Sequence, residues 1–328
     1  MADKFRMAFV GAGSRATLVH YPAFAGLPDV EIAAICDIDP VALKAAADQY
    51  GVAEEHRYGD TVYAYREMIK KEKPDGVAVI GQPHLMIDLW IWCLRNGVNL
   101  YIEKPMGLSL HQAQLLDELA RRNDCVATVS FQRRTTPVVM RLREECLRRG
   151  PIVHAMVRFY KCMLGDYLEA RDHMMDDTVH AIDTLRWACG GEVVKVESHM
   201  NSVGSFDKNF ISATLHFDNG AMGYLINSWS SGRRIFDIEM HAPEICAEVE
   251  HETGGYLYKD GDTKGEYYSA AECAGSADFH TLTGVTLLAQ DFVDCCRDRT
   301  KTPMSSFASG VKTMELAEII LAQSTLKG

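Results

Sequence analysis

Phe5-Arg6-Met7-Ala8-Phe9-Val10-Gly11-Ala12-Gly13-Ser14-Arg15-Ala16 is an apolar run that ends in a glycine turn and opens a helical pattern. A short apolar run closed by a turn signal is the mark of a buried strand. The turn fits G-x-G-x-x-G/A. Gly11 makes the tight bend, Gly13 lets backbone approach a pyrophosphate, and small Ala16 lets helix and strand pack closely. A phosphate at such a turn meets the free N–H groups and favourable dipole of a helix N-terminus. Asp37 ends the next apolar run, 31–36, where a carboxylate can accept a ribose 2′-hydroxyl. Its charge would repel a 2′-phosphate, and neither Ile38 nor Asp39 supplies a cation, so NAD is expected rather than NADP. Arg15 has two readings, one at the pyrophosphate and one on the adenosine side.

The rhythm around this stretch extends the picture. Helix patterns at 40–50, 61–71, 83–96 and 109–122 alternate with strand patterns at 76–80, 98–102 and 125–130. Pro40 and Pro83 suit first helical turns, and Gly97 suits a helix end. Such alternation predicts βαβ units and a doubly wound parallel sheet, a Rossmann domain over 1–130. Past residue 131 the pattern changes to longer β-type segments at 152–160, 193–200, 210–217, 221–229 and 235–241. Phe217-Asp218-Asn219-Gly220 is a hairpin signal. Helix patterns lie near 137–149, 178–188, 283–296 and 309–325. The expectation for 131–328 is an α+β domain with a large, mostly antiparallel open sheet. One face of such a sheet is a candidate oligomer interface.

Bulk properties narrow the function. With 328 residues, two domains are expected. A net charge of −11 argues against nucleic acid or an anionic membrane as partner. The ten cysteines form no C-x-x-C pair, so neither a zinc framework nor a disulfide scaffold is expected. The apolar stretch near 85–94 is interrupted by Asp88 and too short to span a bilayer. Residues 1–4 lead into a strand without a charged-then-apolar leader, which predicts a cytoplasmic protein with reduced thiols.

Two segments carry the chemistry. Glu103-Lys104-Pro105 follows the strand pattern 98–102, so Lys104 falls at the carboxyl end of a strand, where open α/β sheets bind ligands. Taken alone, the tripeptide also reads as a solvated surface turn. Farther on, Asp176, His180 and Asp183 fall at i, i+4 and i+7 of a helix pattern, and so on one face. A histidine flanked by carboxylates is a candidate general base. The same spacing also suits an N-cap, a core histidine and a surface aspartate, or a metal site without further ligands.

In this order, the segments resemble the glucose–fructose oxidoreductase/inositol dehydrogenase (Gfo/Idh/MocA) family over nearly the whole chain. The resemblance is carried by the glycine turn, Gly81-Gln82-Pro83, Glu103-Lys104-Pro105, Phe131-x-x-Arg134-x-x-Pro137, Asp176-x-x-x-His180 and Ile182-Asp183-x-x-Arg186-Trp187. Phe217-Asp218-Asn219-Gly220-Ala221 and the closing Ala322-Gln323-Ser324 also look familiar. It implies an NAD(P)-dependent oxidoreductase acting on a sugar, polyol or related carbohydrate, and a homodimer or homotetramer. Lys104, Asp176 and His180 would be its catalytic set. Gly11, Gly13, Ser14, Arg15, Asp37, Gln82, Pro83, Glu103 and Lys104 would meet the cofactor. Arg134, Tyr160, Arg171, His173 and His180 would meet substrate. The chain departs from the family where Arg171-Asp172-His173-Met174-Met175 replaces a glycine-rich segment, and where Met86 and Ser130 replace a histidine and a glycine. A second function from the same resemblance is glycoside cleavage by transient oxidation, elimination and reduction. It needs an extra acid or base, for which His173, Tyr160 and Tyr167 are the candidates. A third is a ligand-binding relative without turnover.

Overall fold

The computed structural model describes residues 4–164 and 171–325. Contacts divide the chain into two compact units. The first comprises 1–107, 111–130 and 285–311, and the second 108–110, 131–284 and 312–328.

The first unit is built on β1 (Phe5–Val10), β2 (Val30–Cys36), β3 (Arg57–Tyr58), β4 (Gly76–Val79), β5 (Leu100–Ile102) and β6 (Ala127–Val129). They form one sheet in the order β3-β2-β1-β4-β5-β6, every neighbouring pair parallel. This is the Rossmann order, in which the reversal of direction beside β1 opens a crevice at the strands' carboxyl ends. The sheet is buried in continuous apolar runs because helices connect its strands. These helices are α1 (Tyr21–Ala25), α2 (Pro40–Gln49), α3 (Ala64–Glu72), α4 (Pro83–Arg95) and α5 (Leu110–Arg122). The helical pattern after the glycine turn is not one regular helix. Residues Ala16–His20 are π-helical before α1 begins.

The expected single boundary at 130/131 is corrected here. The helix Val285–Arg297 belongs to the first unit, because Val285, Leu288, Ala289, Phe292 and Val293 complete its core. Phe292 meets Phe24 and Tyr101 edge-on at 6.3 and 5.8 Å.

In the second unit the strands are β7 (His154–Cys162), β8 (Val193–Asn201), β9 (Phe210–Phe217), β10 (Met222–Ser228), β11 (Ser230–Ala242), β12 (Ile245–Glu250), β13 (Gly254–Lys259) and β14 (Glu266–Ser269). Their order is β14-β13-β12-β11-β7-β10-β9-β8, antiparallel except for the β7–β10 pair. The hairpin at Phe217–Gly220 forms as expected, with Gly220 at φ +85° and its N–H donating to the Phe217 carbonyl at 3.1 Å. The helices α6 (Pro137–Arg149) and α7 (Val179–Cys189) pack on the sheet, α6 over β11 to β13 and α7 over β7 and β10. In β7, Ala155, Val157 and Phe159 are buried while His154, Met156, Arg158 and Tyr160 are half-buried. That period of two leaves the second set on the sheet's open face.

Candidate active site

In the first unit the glycine turn is fixed by contacts that only glycine allows. Gly11 lies at φ +103°, and a Cβ there would stand 2.0 Å from the Ile80 carbonyl oxygen. Its N–H donates to the Cys36 carbonyl at 2.9 Å. A Cβ on Gly13 would meet nothing within 4 Å, so the backbone is open to an incoming group on that side. Asp37 is tied to the same turn. Oδ2 accepts the Ala12 N–H at 2.5 Å and Oδ1 accepts the Asp39 N–H at 2.8 Å. A carboxylate has about four acceptor sites, so two remain for ribose hydroxyls. Beside it lies a cavity of about 320 Å³ bounded by Val10, Gly11, Cys36, Asp37, Tyr63 and Asp88. Burial and the neighbouring Asp37 charge push the Cys36 thiol up to about 12, which keeps it neutral. Open backbone at Gly13, the anchored Asp37 and an apolar cavity fit the adenosine end of NAD. The two carboxylates in its wall disfavour a 2′-phosphate. For Asp37→Ser, the ratio of kcat/KM with NAD to that with NADP is expected to fall at least about tenfold. An unchanged ratio would remove Asp37 from cofactor selection.

Ser14 and Arg15 follow the turn, and Gln82 and Pro83 open α4, with Pro83 in its first turn. Arg15 Nε donates to Glu103 at 3.1 Å. Glu103 is the next residue expected at the cofactor. Its side chain is turned inward and buried, between Arg15 and His20. Burial opposes its ionisation, yet Arg15, then His20 and Lys104, hold the carboxyl well below the usual range. Lys104 follows at the carboxyl end of β5, half-buried, and its peptide to Pro105 is cis.

In the second unit, Asp176 lies in a π-helical turn, Met174–Thr178, and His180 in the first turn of α7. Asp176 is half-buried, while His180 is 4% exposed with the Phe131 ring edge-on at 6.0 Å. The turn is braced on both sides. Thr178 Oγ1 donates to the His173 carbonyl and accepts from Asn227, at 3.2 and 3.0 Å. Asp177, one residue on, forms an ion pair with Lys161 on β7.

The expectation that Asp176, His180 and Asp183 share one working face is corrected. The wider π turn puts Asp176 outside the α-helical register, and Asp183 is fully buried against Arg134. Arg134 Nε donates to Asp183 Oδ2 at 2.8 Å, its Nη2 bonds to Oδ1, and Thr313 Oγ1 donates to Oδ1 at 2.9 Å. Arg134, expected at substrate, thus has two guanidinium nitrogens on a buried carboxylate. Breaking a buried pair leaves a charge without compensation, at a cost of about 3–5 kcal/mol. Asp183→Ala is therefore expected to lower the apparent Tm by about 10 °C, read by scanning calorimetry. A drop of under about 2 °C would show the pair to be dispensable.

Arg171 and Tyr160 are two further residues expected at substrate. Arg171 donates to Asp172, to Glu318 at 2.7 and 3.2 Å, and to the Leu108 carbonyl at 2.9 Å. Burial opposes its charge, but Glu318 and Asp172 outweigh that and raise its pKa, as in a structural clamp. Tyr160 projects from the open face of β7, opposite the face that α7 covers, because its parity is that of Arg158. His173 is different. It is 1% exposed, its Nδ1 lies 2.5 Å from Asp207, and its ring stands 4.7 Å from Trp229. Tyr167 lies outside the described residues. Among the described residues no group of three or more His, Cys, Asp or Glu side chains is placed to hold a metal ion. No helix among them is long and apolar enough to cross a membrane.

His20 and Asp207 were not singled out from sequence. Neither sits in a motif, and each matters only through a partner 83 or 34 positions away.

A Rossmann sheet with an NAD turn, joined to an α+β unit carrying D-x-x-x-H, defines a class of nicotinamide-dependent oxidoreductase. Comparison with known proteins gives the family. Residues 5–131 match the GFO/IDH/MocA oxidoreductase family with an NAD-binding Rossmann fold, and residues 150–254 match the GFO/IDH/MocA C-terminal domain. The chain belongs to the GFO/IDH/MocA family of oxidoreductases. Among its relatives is a scyllo-inositol 2-dehydrogenase (NAD(+)) of Bacillus subtilis, 25% identical, with 93% of this chain and 89% of that one covered. A glycosyl hydrolase family 109 protein of Shewanella woodyi is 28% identical over 45% of this chain and 33% of that protein, about a third of its length. The crystal structure of a dehydrogenase from Chromobacterium violaceum superposes with a TM-score of 0.86 at 21% identity, covering 100% and 97% of the two chains, and this likeness supports the fold.

Proposed function

We infer that this oxidoreductase moves a hydride between NAD and a CH–OH or ketone carbon of a sugar, polyol or sugar derivative. The observation that carries the reading is Lys104, set at the carboxyl end of β5 in the sheet that holds the NAD turn. The resemblance to an inositol dehydrogenase over 93% of this chain supports the substrate class.

Gly11, Gly13, Ser14 and Arg15 would hold the pyrophosphate, Asp37 the ribose, and Gln82 and Pro83 the segment beyond. Bound there, NAD supplies the hydride acceptor. The chain's residues handle the proton. His180 takes it from the reacting hydroxyl, and Lys104 donates to the same oxygen and steadies its developing charge. Asp176 orients or tunes this pair. In reduction His180 returns the proton. These three roles follow the family resemblance. The local structure of each unit is compatible with them.

The test is a panel of free sugars, polyols and aryl glycosides incubated with purified protein and NAD, with absorbance at the reduced-nicotinamide band and aglycone release read in parallel. NADH in proportion to substrate consumed supports the reading. Silence in both channels would point to a binding protein and refute it.

A second reading, NAD-assisted glycoside cleavage, is favoured by one observation. The His173–Asp207 pair is the orientation in which a carboxylate fixes an imidazole tautomer, which suits an added acid or base. The glycosyl hydrolase relative points the same way over part of the chain. Aglycone release without NADH would establish it.

The protein is also proposed to be a cytoplasmic homodimer or homotetramer that pairs through the open sheet face, where Tyr224, Tyr256 and Tyr267 are exposed. A single-chain mass in sedimentation at micromolar concentration would exclude that assembly.

A further inference from the structure

Behind Lys104 lies a hydrogen-bonded group that the reaction itself does not call for. Glu103 Oε1 receives His20 Nε2 at 2.7 Å and Arg15 Nε at 3.1 Å, and Oε2 accepts the backbone N–H of Lys104 at 2.9 Å. The Glu103 side chain is 6% exposed and that of His20 is 0% exposed. The His20 ring stands edge-on to Tyr101 at 5.5 Å, and its Nδ1 has no hydrogen-bond partner among the described residues. A buried N–H without an acceptor costs the full desolvation of a donor, which assigns the proton of a neutral ring to Nε2. His20 is then a fixed donor to Glu103. A neutral glutamine would satisfy the same N–H of Lys104, so a turn alone does not require a buried anion, which is costly unless fully supported.

We propose that Glu103 is a positioning residue for Lys104, held by His20 and shared with Arg15, so that binding of the cofactor pyrophosphate strengthens the hold of Glu103 on the Lys104 ammonium. The inference rests on the reading of Lys104 as the donor to the reacting oxygen. It concerns residues of the first unit only. Arg15 caps the π-helical segment that follows the glycine turn, and its side chain is 47% exposed, so it is accessible to a phosphate from outside. A pyrophosphate at that turn attracts the guanidinium, because paired charges there form short charge-assisted bonds. Each degree to which Arg15 leaves Glu103 gives the carboxylate's charge to Lys104. The ammonium form, which donates to a developing oxyanion, is thereby favoured once cofactor is bound. His20 does not follow Arg15, because it is walled in beside Tyr101, and it keeps the carboxylate in place during the exchange.

The test reads the lysine directly, without turnover. Competitive acetylation with acetic anhydride, quantified by mass spectrometry of the Lys104 peptide over about pH 7 to 11, gives the midpoint of its titration. Removing the anion in Glu103→Gln is expected to lower the midpoint by about 1 pH unit. Removing the competing cation in Arg15→Gln is expected to raise it, and NAD added to the native protein is expected to raise it too. A fall in the first and a rise in the second support the proposal. Any other pattern overturns it, including shifts of both in one direction, which would mean general loosening. Should Glu103→Gln not fold, Arg15→Gln decides alone, with a raised midpoint that NAD no longer moves supporting the proposal and an unmoved midpoint overturning it. Failure of every sugar to turn over with these shifts intact would defeat the dehydrogenase reading and leave the coupling standing.

Discussion

Lys104→Ala is expected to lower kcat by about 10²–10³-fold while weakening NAD binding by no more than about tenfold. The size is that of removing one preorganised donor to a developing oxyanion. The separation between kcat and cofactor affinity follows from the structure. The turn at Gly11 and Gly13, the Asp37 anchor and the adenosine-side cavity are built from β1, β2, α4 and the start of α3 with the residues before it, without Lys104. Lys104 itself stands after β5 and is half-buried, so its loss removes little packing. NAD affinity by isothermal titration and kcat on the best panel substrate give the two quantities. A loss of kcat below about fivefold would remove Lys104 from the reacting oxygen. Lys104→Met serves as a control that keeps the aliphatic stem.

His180→Ala is expected to cost more, about 10²–10⁴-fold in kcat for the oxidation, as general-base loss does. It is also expected to remove the acid limb of the pH–rate profile. In oxidation the base must be neutral to accept a proton, so activity with His180 falls as pH drops and the ring becomes charged. Without the ring that limb disappears and the residual rate rises with hydroxide. Because His180 is 4% exposed and packs on Phe131, His180→Gln accompanies the alanine variant, and both are compared at equal folded fraction. An acid limb that persists in both variants would assign the proton to another group. His173, fixed by Asp207, would then be the next to test.

How much of this was legible in the sequence depended on whether the signal was local. The glycine turn, the Asp37 anchor and the strand before Lys104 are set by neighbours in sequence, and they were readable with the Rossmann sheet and the NAD turn. The hairpin at Asp218–Gly220 is equally local. The strands Ile245–Glu250, Gly254–Lys259 and Glu266–Ser269 were not read, because Gly254, Gly255, Tyr256 and Tyr258 blur the apolar alternation. The side of Tyr160 was available and overlooked. Ala155, Val157 and Phe159 already mark the covered face, and Tyr160 has the opposite parity.

Partnerships across long separations were not legible. Asp183 looks like a third member of an active helix face until Arg134, 49 positions earlier, is found on it. Arg171 looks like a substrate cation until Glu318, 147 positions on, takes it up. The helix Val285–Arg297 shows an apolar face in sequence, but nothing in that face says which core it fills. The π-helical segments Ala16–His20 and Met174–Thr178 shifted side chains out of the α-helical register used to predict their neighbours.

The central claim, hydride transfer between a carbohydrate carbon and NAD, is tested most directly with deuterium. The best panel substrate, deuterated at its carbinol carbons, is incubated with wild-type protein and NAD, and the NADH formed is isolated for mass spectrometry. NADH carrying one deuterium per molecule, formed in step with the ketone product, is the expected result. Unlabelled NADH, or an aglycone released with no NADH accumulating, would contradict it.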